Sequence, residues 1–169
     1  PYARAATRLA AMAFAAVNLA GLLVFAQGSA SFLGVVLGLE TERDFYVRER
    51  PSYPNPPFLG CEAMNRQLPA RAGVLFVGEA RGMFLGRRLK ASTVFDHPVL
   101  VELAGEAGTP AELTRRLKQL GLTHVYLNLP EGMRTSGYRI FDWTGPRARE
   151  VAEAWWGRHL ELIWASGGQ

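Results

Sequence analysis

Residues Leu9 to Ala26 read LAAMAFAAVNLAGLLVFA, an apolar run broken only by Asn18. Arg4 and Arg8 stand just before it. About 20 such residues in a helix match the roughly 30 Å hydrocarbon core of a bilayer. From Thr41 onward the pattern changes to short apolar runs alternating with helical periods. The sequence therefore predicts a membrane helix and connector over residues 1–39, followed by a soluble α/β domain over 40–169. A secretory signal peptide is the rival for residues 4–26, because two arginines form a basic leader. The run is long for a signal core of about 7–15 residues, which favours a retained helix. The stretch Ala26 to Ser31 is where cleavage would fall. Two N-terminal arginines place the start in the cytoplasm and the domain outside it.

Gly28 to Gly38 is small and apolar. Gly34 and Gly38 make a GxxxG spacing, which permits close helix approach in lipid. A plain connector explains the same residues, since they lie past the main run. Thr41 and Asp44 resemble a capping box opening a short helix over Glu42 to Glu49. RPSYPNPP (Arg50 to Pro57) holds four prolines and excludes regular structure. Asn55 is a cap candidate for the next helix, with Pro56 or Pro57 in its first turn. That helix runs to about Leu68, burying Leu59, Ala63, Met64 and Leu68.

Ala72 to Val77 (AGVLFV) reads as a strand buried on both faces, as in parallel sheets. Leu89 to Phe95 alternates and predicts a second strand. GMFLG (Gly82 to Gly86) fits either a helical turn or a strand. Val99 to Ala107 is a short helix. Thr109-Pro-Ala-Glu112 has full capping-box spacing with proline at N1. Leu113, Leu117 and Leu120 share the face of that helix, and Gly121 ends it. Thr123 to Leu129 is a third strand, Pro146 to His159 a last helix, and Leu160 to Trp164 a fourth strand. Strands alternating with helices predict a small, three-layer, open and mostly parallel sheet with helices on its faces.

Charge narrows the functional classes. No acid precedes Glu40, and the rest of the chain carries only +2 of the total +4. Arg87-Arg88 and Arg115-Arg116 read as solvated surface, which excludes a nucleic-acid interface. Cys61 is the single cysteine and reads as a small core residue. His97, His124 and His159 are scattered, so no metal site is expected. No cofactor motif is present.

Gly78-Glu-Ala-Arg-Gly82 follows the first strand directly. Ligands of open α/β sheets bind at carboxyl ends of strands, and a helix starting near Gly82 would offer free amides to an anion. Gly78, Glu79, Arg81 and Gly82 are therefore the candidate ligand-binding residues. A turn whose glycines permit positive φ and whose charges face water accounts for them more simply, because no GxGxxG or GxxxxGK(S/T) motif is present. Asp96-His97 lacks a serine elbow, and Ser92 falls within a predicted strand. Trp155, Trp156 and Trp164, with Tyr53 and Phe58, suit either a sheet-covering core or a headgroup-level aromatic face. Consecutive Trp155 and Trp156 cannot share one helical face.

Leu37-Gly-Leu-Glu40, Phe45-Tyr-Val47, Met64-Asn65, GVLFVGEARGMFLGRRLKAST and GLTHVYLN occur in an order with a parallel elsewhere. It resembles the C-terminal extracytoplasmic region of multi-pass GT-C class glycosyltransferases, the type similar to protein mannosyltransferases. The resemblance covers most of Phe32 to Asn128. It implies transfer of a sugar from a polyprenyl-phosphate carrier to a glycan or lipid acceptor outside a bacterial-type inner membrane. It implies that the catalytic acid belongs to an early loop absent from these residues, so this segment is expected to be non-catalytic. A membrane-anchored module binding an anion or sugar, or a small independent α/β enzyme, are the alternatives.

Overall fold

A computed structural model describes residues 2–25 and 32–166. The predicted cleavage stretch, Ala26 to Ser31, lies outside them. The chain forms two compact units, Pro1–Pro56 and Pro57–Gln169.

In the first unit, helix α1 spans Tyr2–Phe25. At about 1.5 Å per residue it is about 36 Å long, enough to cross a bilayer. Every residue from Ala5 to Phe25 is exposed. Asn18, the one polar interruption of the run from Leu9, donates from Nδ2 to the Phe14 carbonyl at 2.8 Å, within its own helix. Helix α2 (Leu33–Val36) ends in a turn where Gly38 adopts φ +71° and Leu39 donates to the Gly34 carbonyl at 2.8 Å. Both glycines of the GxxxG spacing thus serve this turn. Helix α3 (Glu42–Val47) starts as predicted, with Thr41 Oγ1 accepting from the Asp44 amide. Glu40 then receives Arg48 in a two-pronged ion pair at 2.9 and 3.1 Å.

The second unit is a mixed α/β fold. Its helices are α4 (Phe58–Gln67), α5 (Val99–Glu106), α6 (Pro110–Gln119), α7 (Leu129–Arg134) and α8 (Pro146–His159). Strands β1 (Gly73–Val77), β2 (Arg88–Lys90) and β3 (His124–Leu127) make an open parallel sheet in the order β2-β1-β3. Gly73 pairs with Arg88, and Val74 to Val77 pair with His124 to Leu127. Every residue of β1 is buried, as its unbroken apolar run predicts.

Alternation along β1 divides the core. Val74 and Phe76 join Cys61, Met64 and Leu68 from α4. Leu75 and Val77 join Leu100 and Ala104 of α5, Leu113 and Leu117 of α6, and Val151, Ala152 and Trp155 of α8. Asn65 clasps α4 to the β1–β2 loop, donating to the Phe84 carbonyl at 2.7 Å and accepting from the Gly86 amide at 2.8 Å. Arg87, expected as solvated surface, instead donates to the Asn65 and Leu68 carbonyls and so closes the end of α4.

Helix α6 follows its sequence signals closely. Thr109 accepts from the Glu112 amide, while Glu112 reaches back to the Gly108 amide at 2.9 Å, one residue earlier than the usual box. At its far end Gly121 (φ +72°) donates to Lys118 and Leu122 to Leu117, the paired bonds of a Schellman turn. That turn swings Leu120 outward to 42% exposure and buries Leu122 in its place, correcting the expected Leu113–Leu117–Leu120 face.

Other expectations are corrected. The second strand stops at Lys90, so Ser92 lies outside it, and its hydroxyl accepts from the Val99 amide at the start of α5. Leu160 to Trp164 joins no sheet; Leu162 and Ile163 are exposed, and a short apolar run needs an open ladder partner to become a strand. Asn55 does not cap α4: the N-cap position is Pro57, and Asn55 takes a left-handed conformation (φ 45°). Leu129 does not extend β3 but begins α7.

Burial pushes the Cys61 thiol from 9.0 up to about 12, with the field of Glu79 as the second cause. Between those values the unfolded chain has lost a proton that the folded chain keeps, so stability falls as pH rises through that window. Urea unfolding should therefore show a larger drop from pH 8 to about pH 10 in the native sequence than in Cys61→Ala. An equal drop in both would show that the thiol does not contribute.

Candidate functional site

The carboxyl ends of β1 and β3 lie side by side at the sheet's centre, where connections leave a parallel sheet and ligands ordinarily bind. Gly78 turns the chain there with φ +71°. A side chain at this position would lie 2.8 Å from the Asn128 carbonyl oxygen and 3.0 Å from the Gly132 Cα, so glycine is required both for conformation and for space.

That turn delivers Glu79 inward, where it is fully buried. An isolated buried carboxylate is costly, and this one is densely compensated. Its Oε1 accepts from the Ala80 amide at 3.0 Å, and from the Arg81 amide and Nε at 2.8 Å each. Its Oε2 accepts from Arg81 Nη2 at 2.7 Å and from Asn128 Nδ2 at 2.8 Å. Glu79 thus joins the loop after β1 to the residue after β3.

The network continues through α7. Asn128 Oδ1 accepts from the Glu131 amide at 3.3 Å, which makes Asn128 the cap of that helix. Glu131, also buried, receives Arg134 through Nε at 2.9 Å and Nη2 at 2.6 Å. Arg81 Nη2 lies 3.7 Å from Glu131 Oε2, between the two carboxylates. Two acids and two arginines therefore balance. The neighbouring Tyr138 hydroxyl is held above its usual pKa, first by burial and then by the negative fields of Glu79 and Glu131; Arg81 opposes them.

Of the residues expected at this site, Gly78, Glu79 and Arg81 meet as described. Gly82 does not open a helix: the chain turns at Met83 and Phe84 without continuing, and the Gly82 amide donates to the Ala80 carbonyl at 3.0 Å. The free amides expected for an anion are not there. Asn128, Glu131 and Arg134 were not anticipated. Their signal was present in Asn128-Leu-Pro-Glu131, a cap residue with proline at N2 and an acid at N3.

The remaining polar candidates are local. Asp96 accepts from the Thr93 amide and hydroxyl at 2.8 and 2.7 Å, closing a turn, while His97 is exposed beside it. His124 is half-buried, and burial lowers its pKa. Thr114 and Trp155 join α6 to α8 through a 3.0 Å bond from the indole, while Trp156 faces outward. Among the described residues no cluster of His, Cys, Asp or Glu could hold a metal ion. Comparison with family models, with curated proteins and with solved structures finds no match to this chain.

Replacing Glu79 by Gln should destabilise the domain by roughly 2–4 kcal/mol, since Arg81 loses its carboxylate and Asn128 its charged acceptor. Gly78→Ala should cost a similar amount, about 2–4 kcal/mol, from left-handed strain and backbone overlap. Chemical denaturation measures both, and changes within about 0.5 kcal/mol would show the network to be dispensable.

Proposed function

We propose that this chain is the C-terminal, extracytoplasmic part of a membrane glycosyltransferase-like protein. In this reading α1 is held in a bacterial-type inner membrane. The α/β domain supports transfer of a sugar from a polyprenyl-phosphate carrier to a glycan or lipid acceptor, without supplying the catalytic acid. The observation that carries the anchor is the surface of α1: 21 residues, Ala5–Phe25, of which none is buried against protein. Apolar surface of that extent supports lipid as its surroundings. Asn18 bonded within its own helix suits the same setting. The resemblance over Phe32 to Asn128 carries the sugar-transfer part.

The absence of a catalytic role rests on the carboxyl edge. Glu79 and Glu131 are both engaged by arginines, so neither is free to exchange a proton with a substrate. Arg81 is spent on these carboxylates in turn, which argues against the alternative of an anion at Gly78 to Gly82. We assign these residues a structural role. We also infer a three-layer arrangement, with α4 on one sheet face and α5, α6 and α8 on the other, from the two apolar clusters that β1 separates.

Two measurements test this reading. The chain should remain in the membrane pellet after alkaline carbonate extraction, and Ala15→Arg with Leu19→Arg should release it, each charge costing about 2.5–3.5 kcal/mol at mid-bilayer. Recovery of the native sequence in the aqueous fraction, or with its N-terminus trimmed past Ala26, would refute the anchor. Disrupting the encoding gene should raise the pool of polyprenyl-phosphate-linked sugar seen by mass spectrometry. Unchanged pools would refute the transferase reading.

A further inference from the structure

The second unit holds an open cleft that the buried network does not use. Its volume is about 390 Å3, and Val77, the last residue of β1, and Leu100 of α5 lie at its apolar floor. Ligand pockets run from about 300 to 1,000 Å3, so this one suits a small occupant. Its walls are aromatic. Phe141 and Trp143 stand with ring centroids 6.3 Å apart and planes at 46°, and Trp156 of α8 adds a further wall. Phe141 is 50% exposed and Trp156 39%, so both offer ring surface to an occupant.

The aromatic corner is held by unusual backbone. Arg139 takes a left-handed conformation (φ 46°), and Ile140 behind it is buried. A non-glycine residue in that region costs energy, and such positions gather at functional segments. Here the turn presents Phe141 and Trp143 to the cleft.

One charged pair borders it. Arg149 Nε donates to Glu153 Oε1 at 2.7 Å across one turn of α8. The other guanidinium N–H groups and the second carboxylate oxygen keep their bonding capacity. The paired charges cancel, so the border selects for neither anion nor cation. An acyl chain would cover these groups without bonding them, which is unfavourable. An occupant with apolar faces and neutral hydroxyl edges uses both features: its C–H face stacks on the rings while its hydroxyls meet Arg149 and Glu153.

We propose that this cleft binds a neutral pyranose ring, with Trp156 and Phe141 as stacking residues and Arg149–Glu153 as the polar clasp. As a subsite for sugar transfer it rests on the function proposed above; as a sugar site it stands on its own geometry. The test uses the full chain in phosphatidylcholine nanodiscs, titrated with methyl glucosides, mannosides and galactosides. Binding is read by saturation-transfer NMR, with decanoate as the apolar competitor. Transfer to the ring C–H protons of at least one sugar is expected. Trp156→Ala and Phe141→Ala should each weaken it about tenfold or more, and Glu153→Gln should weaken it less. Lys118→Ala, on the outer side of α6, should leave it unchanged, and thermal unfolding confirms that each variant is folded. No transfer to any sugar, transfer unchanged in both aromatic variants, or binding of decanoate alone would overturn the proposal. A negative titration with raised donor pools sinks the cleft only; a positive titration with unchanged pools keeps the sugar site and sinks the transferase reading.

Discussion

A buried carboxylate organises the carboxyl edge of this sheet. Glu79 cannot stay charged in the interior without donors around it, and the fold supplies five. Four of them come from its own loop, which locks residues 79–81 into one conformation, and two of these, Nε and Nη2 of Arg81, bring a countercharge. The fifth, Asn128, comes from beyond β3. Because Asn128 also caps α7, the same side chain that satisfies Glu79 fixes where that helix starts. The close passage of Gly78 by Gly132 is a consequence: the two segments are drawn together until only hydrogen fits between them.

This constraint reshapes what the edge can do. In many open α/β folds the carboxyl ends of the strands stay open for a ligand. Here the switch point is filled by protein carboxylates and protein arginines, and its charges cancel. Open volume lies to one side, in the aromatic cleft that begins at Val77 and runs toward α8. Ionic chemistry and open volume, usually found together in an active site, are separated in this domain.

Features with local causes were legible in the sequence. Thr41, Thr109, Gly121 and the apolar run of β1 each act through neighbours a few residues away, and each folds as its pattern predicts. The α/β class followed from them. The features that escaped depend on distant partners. Leu160 to Trp164 has the composition of a strand, but its pairing depends on a sheet edge that composition does not reveal. Arg87 reads as surface until the end of α4 is seen to lie beside it. Glu79 and Arg81 read from the sequence as the lining of an open crevice, but Asn128, 49 residues beyond Glu79, bonds its carboxylate and closes the loop into a clamp. Asn128-Leu-Pro-Glu131 is the exception, a local signal obscured because the apolar Leu127 and Leu129 look like a continuing strand.

The two units also divide their apolar side chains differently. The second unit buries apolar groups in two clusters, and its buried carboxylates, Glu79 and Glu131, are met by arginines. Helix α1 does the reverse. Past Arg8 it exposes Leu9, Phe14, Leu22 and Phe25, and Asn18, the one polar side chain of that stretch, donates to its own helix, which leaves a largely apolar surface. Backbone bonds within a helix are complete without any neighbour, whereas an apolar surface is not. The free energy of α1 is therefore set by whatever covers it, and a bilayer is the cover that its length fits.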